Sequence, residues 1–195
     1  MQVILVTNRK GGVGKTTIAL NVAMNLALGV KLGDIGKKKK RKKVLLLDGD
    51  VDQADATYWV LGHEDFESGV IYGTDFGFDV CWIQAGEDVP DDIANGYSYV
   101  VIDGRPSAMV SLAFVQDSDY IFIPYNDERS YQQGEYFAQA VKRINKGAQI
   151  VMVANGFKPV GEDDYSLPYD RFIRREGWRA SQLEYKSKLN ELCRW

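Results

Sequence analysis

Only two cysteines and one histidine occur among 195 residues, and no apolar run approaches the length of a membrane span. Cys81 and Cys193 lie far apart, in no spacing that ligates a metal or frames a disulfide scaffold. A reduced, cytoplasmic setting is the expectation that follows. His63 has no partner signature and is given no catalytic role. The chain runs directly into Val3-Ile4-Leu5-Val6 rather than into a signal peptide, and no segment repeats. With 45% hydrophobic residues it can bury one substantial core, so a single domain over 1–195 is expected.

What the sequence does have is a glycine-rich loop straight after that first apolar run. Residues 9–17 read Arg-Lys-Gly-Gly-Val-Gly-Lys-Thr-Thr. The phosphate-loop pattern G-x-x-x-x-G-K-[ST] ends at Gly14-Lys15-Thr16, which would place its first glycine at position 9, where arginine stands. Gly11, Gly12 and Gly14 give the backbone φ values closed to other residues, so that successive N–H groups can turn toward phosphate oxygens. Lys15 would reach the β- and γ-phosphates, and Thr16 would offer its hydroxyl to Mg²⁺. The helix expected over 16–28 points its N-terminus at the same phosphates. The nucleotide-contacting stretch is therefore Lys10, Gly11, Gly12, Val13, Gly14, Lys15, Thr16 and Thr17.

Lys10 through Thr17 resembles the deviant Walker A box of the ParA/MinD superfamily of ATPases. Three later segments fit that superfamily in order. Val44-Leu45-Leu46-Leu47-Asp48-Gly49-Asp50 resembles its second box, and Tyr99-Val100-Val101-Ile102-Asp103 its Walker B strand. Ser118-Asp119-Tyr120-Ile121-Phe122-Ile123-Pro124 resembles a later strand ending in proline. The resemblance covers roughly residues 1–155 and implies ATP and Mg²⁺ as ligands. The paired cluster cysteines of the superfamily's iron–sulfur relatives are missing. The larger members' N-terminal DNA-binding extension is not expected either, since the loop begins eight residues in.

The coarse pattern alternates strands and helices. Strands are expected near 2–7, 44–48, 80–84, 98–103, 119–124 and 149–154, and helices near 16–28, 53–60, 108–116, 130–145 and 180–193. Runs such as Val44–Leu47 suit strands buried on both faces, so the expected fold is α/β, a doubly wound, mostly parallel sheet flanked by helices. In such sheets ligands bind beyond the carboxyl ends of the strands, where Lys15, Asp50 and Asp103 fall. Asp103 would hold Mg²⁺ as Walker B acids do, with Asp48 beside the metal shell. By resemblance Asp50 orients the attacking water. A pair of turn-forming acids is the other reading of Asp48 and Asp50. Two places depart from the superfamily: Val51 stands where proline is usual, and Gly104-Arg105-Pro106 where Thr-Pro-Pro is favoured. Both put hydrolysis in question more than binding.

Lys10 is either a surface lysine or, as the resemblance implies, a cation that crosses to the phosphates of a second subunit. The latter makes the active species an ATP-dependent homodimer, with Lys10, Lys15 and Asp50 as the catalytic set. Asn155, before Gly156, could read the base through its amide or simply form an Asn-Gly turn. No guanine-specific Asn-Lys-x-Asp signature occurs.

A second unusual feature is the run Lys37, Lys38, Lys39, Lys40, Arg41, Lys42 and Lys43, inside an insertion over about 29–43. The formal charge is −3, and setting aside these seven positive charges leaves −10. Such a run can neutralise DNA phosphates without sequence preference, bind anionic lipid, or stay solvated. In the expected topology it lies opposite the nucleotide, so ATP would govern DNA binding through the avidity of a dimer. The segment expected as a helix over 180–193 is either a packing helix or, as in MinD-type relatives, an amphipathic membrane anchor. Its mixed charges favour packing, and a membrane partner is not expected. The dispersed tyrosines form no terminal cluster of the bacterial tyrosine-kinase kind.

The leading functional expectation is a ParA-like partitioning ATPase, cytoplasmic and nucleoid-associated. It would bind DNA non-specifically as an ATP dimer and release it when a ParB-like adaptor stimulates hydrolysis. A MinD-like or conjugation-associated positioning ATPase and a nucleotide-gated scaffold with little turnover are the alternatives.

Overall fold

Strands β1 (Gln2–Val6), β2 (Val44–Asp48) and β5 (Tyr99–Asp103) are almost wholly buried, as continuous apolar runs require when helices cover both faces. They form the centre of the sheet in a computed structural model that describes residues 1–29, 42–49, 54–84, 95–104 and 114–168. The other strands are β3 (Ile71–Gly73), β4 (Asp79–Trp82), β6 (Tyr120–Tyr125), β7 (Gln149–Asn155) and β8 (Tyr165–Leu167). The eight lie in the order β3-β4-β2-β5-β1-β6-β7-β8. Every pairing is parallel except β3 with β4, so the doubly wound, mostly parallel sheet is borne out.

Register fixes the level of the site. Val6 pairs with Asp103, and Asp103 with Asp48, so three strand ends finish side by side. Residues in register on neighbouring parallel strands share a face. Asp48 and Asp103 therefore share the face of Leu46, Val101 and Ile4, which packs against Ile18, Val22 and Leu26. The opposite face carries Leu5, Leu45, Leu47 and Ile102 under Phe137 and Val141.

Among the described residues the helices bounded at both ends are α1 (Lys15–Leu28), α2 (Asp55–Leu61) and α3 (Glu128–Ile144). α1 follows Gly14 in the left-handed region with no side-chain cap, and it ends on left-handed Gly29, whose N–H returns to the Leu26 carbonyl. α3 starts on a capping box in which Asp127 and Ser130 satisfy each other's backbone N–H groups. α2 follows Ala54, the one non-glycine residue with positive φ (47°) among the described residues.

The expected strands occur within two residues of their expected ends. β3 and β8 were not expected; at three residues each they are too short to show a period. Residues 114–117 are helical, while the rest of the helix expected over 108–116 and the one over 180–193 lie outside the described residues. Among the described residues no helix is long and apolar enough to cross a membrane.

Candidate nucleotide-binding site

The loop from Thr7 to Gly14 leaves the carboxyl end of β1, between the ends of β5 and β6. Gly12 (φ 73°) and Gly14 (φ 91°) take left-handed backbone, as the glycine pattern requires. A Cβ added at Gly11 or Gly12 would meet nothing within 4 Å, so this stretch lines open space. A Cβ at Gly14 would lie 2.2 Å from Asn155 Nδ2. Lys15 is 8% exposed, and its ammonium curls back to donate to the Lys10 carbonyl at 3.1 Å. The cation is thus held across the mouth of the loop. Gly14 gives α1 no side-chain cap, an arrangement that suits an anion at the helix start.

Side-chain amides hold the loop from its flanks. Asn8 is fully buried, donates to the carbonyls of Pro124 (2.8 Å) and Ser130 (3.2 Å), and accepts the Lys10 N–H at 3.1 Å. Asn126, just past β6, donates to the Gly12 carbonyl at 3.1 Å, and Asn155, at the end of β7, to that of Val13 at 3.0 Å. The side chain of Lys10 is half-exposed. Its charge, with that of Arg129, adds to the Ser130 backbone and hydroxyl hydrogen bonds that hold the Asp127 carboxyl below its usual range.

The carboxylates lie beside α1's start. Asp48 is fully buried, and its Oδ2 accepts from the Thr57 N–H (2.8 Å) and hydroxyl (2.9 Å), tying β2's end to α2's first turn. Asp103 is 2% exposed. Burial, then the Asp48 carboxylate, pushes the Cys81 thiol up to about 11, which keeps it protonated and inert. Among the described residues no cluster of three His, Cys, Asp or Glu could by itself hold a metal. Thr16, Asp48 and Asp103 offer only oxygen donors. That set fits Mg²⁺, which uses one or two carboxylates together with phosphate and water.

Gly49 and Gly104, which follow these acids, are required by close approach. The Gly49 N–H bonds the Asp103 carbonyl at 3.0 Å, and a Cβ there would sit 2.9 Å from that oxygen. The Gly104 N–H bonds the Val6 carbonyl at 2.8 Å, and a Cβ would sit 2.8 Å from the Thr7 Cβ. Glycine at 104 is thus matched to Thr7 beside it.

Beyond β7 the chain is pinned by Tyr125, whose fully buried side chain donates its hydroxyl to Asp164 and accepts the Val160 N–H at 3.1 Å. Burial first, then the Asp164 contact, raises its pKa. Phe157 meets the Tyr125 ring edge-on at 6.2 Å.

The structure brings together Lys10, Gly11, Gly12, Val13, Gly14, Lys15, Thr16, Asp48, Asp103 and Asn155. Asp50 and Lys37–Arg41 lie outside the described residues. Lys42 and Lys43 sit at the opposite, amino-terminal edge of the sheet. The Lys43 carbonyl accepts the Ser98 N–H at 2.8 Å, and the Lys42 ammonium donates to the Tyr99 hydroxyl. Sequence reasoning missed Asn8, Asn126, Thr57, Tyr125 and Asp164. A polar pair, Thr7-Asn8, after an apolar strand was the signal for Asn8, but Asn126 needed the strand order.

A sequence model of the CobQ/CobB/MinD/ParA nucleotide-binding domain matches residues 4–167. A curated relative, "Maintenance of carboxysome distribution protein A" from Gloeobacter kilaueensis, is 34% identical over 130 residues, covering 63% of this chain and 48% of that protein. The chain therefore spans about half that relative's length. A plasmid partition protein from Borrelia burgdorferi superposes with a TM-score of 0.71 at 18% identity, over 98% of this chain and 97% of that one. MinD from Pyrococcus horikoshii, complexed with Mg-ADP, gives 0.72 at 19% identity, over 99% and 96%. At those identities the likeness is one of fold. The loop, the two in-register aspartates and the match over residues 4–167 agree: the chain belongs to the CobQ/CobB/MinD/ParA nucleotide-binding domain family.

Proposed function

We propose that this chain is a ParA-type ATPase that closes on ATP as a dimer, binds DNA without sequence preference and drives partition of a DNA element. The observation that carries the reading is Lys10. Its N–H is fixed by Asn8 and its carbonyl by Lys15 of the same loop, while its side chain stays half-exposed at the mouth. A lysine so placed can reach phosphates bound by a facing subunit. There it would stabilise charge spreading over the γ-phosphate oxygens, as an arginine finger does.

The remaining roles follow the superfamily pattern in the sequence. Lys15 and the loop N–H groups bind the β- and γ-phosphates, Asp50 orients the attacking water, and Asn155 reads the base. Mg²⁺, held by the Thr16 hydroxyl and by Asp103 with Asp48 nearby, would neutralise charge between the β- and γ-phosphates. The run Lys37–Lys43 supplies the contacts to DNA, and a ParB-like adaptor triggers release. Such a protein would work in the cytoplasm on the nucleoid. Gly104, packed against Thr7 where the superfamily favours threonine, supports a second reading, a nucleotide-gated scaffold with little turnover.

Lys10→Ala is expected to bind ATP like the wild type but to stay monomeric by light scattering with ATP and Mg²⁺. Normal dimerisation and turnover of that variant would sink the proposal. Co-sedimentation with DNA and with anionic liposomes, with ATP, ADP or neither, separates partition from a MinD-like membrane role. Replacing 37–43 by Gly/Ser should abolish most of the ATP-dependent DNA pelleting, and a loss of less than a few-fold would count against the basic run. Measured turnover decides against the scaffold.

A further inference from the structure

The general phosphate-loop pattern opens on a glycine, yet here position 9 is arginine and the loop's path is secured by amides from other strands. A trans peptide is planar, with its C=O and the following N–H pointing in opposite directions. A donor that grips the carbonyl of one residue therefore aims the next residue's N–H the other way. Asn126 grips the Gly12 carbonyl at 3.1 Å, and Asn155 grips that of Val13 at 3.0 Å. The N–H groups so aimed belong to Val13 and Gly14, the middle of the phosphate-binding run. Asn126 is itself oriented by the start of α3. Its N–H donates to Ser130 Oγ at 3.1 Å, and its Oδ1 lies 3.4 Å from that hydroxyl, whose shorter acceptor is the Asp127 carbonyl at 2.9 Å. Asn8 closes the frame, with its amide on the carbonyls of Pro124 and Ser130 and its oxygen on the Lys10 N–H.

We infer that Asn126 is a positioning residue for the nucleotide phosphates. From the end of β6 it turns the Gly12–Val13 peptide so that the Val13 N–H faces the cradle before any ligand arrives. The inference rests on the family's nucleotide binding, and it assigns to β6 a part in a site otherwise built from β1, β2, β5 and β7. Asn126 is exposed and outside both core clusters, so its replacement leaves the fold intact. What changes is the ordering cost of the loop on binding.

The test compares wild type, Asn126→Ala and Asn126→Asp as full chains, by calorimetric titration with Mg-ADP and Mg-ATP and by nucleotide-free melting. Asn126→Ala should weaken both nucleotides by about fivefold to tenfold, the worth of one hydrogen bond, with the nucleotide-free Tm lowered by no more than about 4 °C. Asn126→Asp should bind more weakly still, because a carboxylate cannot donate to the Gly12 carbonyl and repels phosphate. No binding by the wild type would refute the nucleotide reading itself. Wild-type binding matched within about twofold by Asn126→Ala, against the fivefold set by one hydrogen bond, would overturn only the inference about Asn126. A drop of more than about 4 °C in the nucleotide-free Tm of Asn126→Ala alongside weaker binding would overturn it too, since Asn126 would then serve the fold.

Discussion

Gly14→Ala should damage the protein in two separable ways, and the structure sets a size for each. The residue has φ 91°, where a Cβ costs about 1–2 kcal/mol. That Cβ would also sit 2.2 Å from Asn155 Nδ2 and 3.4 Å from its Cγ, so the amide must leave. Its departure forfeits the hydrogen bond to the Val13 carbonyl, worth about 1 kcal/mol. Together the loss is about 2–3 kcal/mol, or roughly 4–12 °C in Tm for a chain of this size. Melting by circular dichroism without nucleotide measures it. The two causes part in a double-mutant cycle. In an Asn155→Ala background the clash is gone and only the backbone strain remains, so Gly14→Ala should cost about 1 kcal/mol less there. Equal costs in both backgrounds would refute the argument that Asn155 and Gly14 are fitted to each other.

Ala54→Gly should raise Tm by about 2–4 °C, because Ala54 holds a left-handed conformation worth about 1 kcal/mol to relieve; no change would mean that α2 does not enforce φ 47° in solution. The Cys81 thiol, an acid whose pKa rises on folding from 9.0 to about 11, leaves stability unaffected below pH 9. Between pH 9 and about 11 the unfolded chain ionises and the native one does not, so stability falls as pH rises. Urea titrations across that window should show a flatter loss in Cys81→Ala, by up to about 1.4 kcal/mol per pH unit, and identical slopes would contradict the burial argument. Thr57→Val should destabilise by about 1–2 kcal/mol in urea, because it removes a hydroxyl donor from the buried Asp48 carboxylate; a neutral result would show that the backbone N–H suffices.

The parts legible in the sequence are those where a backbone demand or a long apolar run leaves no choice. Gly12 and Gly14 had to be glycine, and Val44–Leu47 had to be buried on both faces, so the loop, the central strands and the sheet type followed. β3 and β8 were hidden because three-residue strands at the sheet's two edges carry no period of their own. Asn155 was singled out, but for the base; the structure sets its amide on the phosphate loop as well. Asn126 could not be found, since it lies 114 residues from the carbonyl it holds and only the β1–β6 pairing brings it there. The Asp48–Thr57 bond shows the same limit: strand and turn were readable, and the partner was not.

The two longer helices begin in opposite ways. α3 closes its own end, with Asp127 and Ser130 filling the places an outside acceptor would take. α1 puts a left-handed glycine there and supplies nothing. Glycine at this place costs a few tenths of a kcal/mol against a side-chain cap, and it leaves the position open to an acceptor from outside. The phosphate of a nucleotide is then a missing piece of α1's own architecture, delivered from outside. Binding a phosphate there and completing the helix would then be a single event.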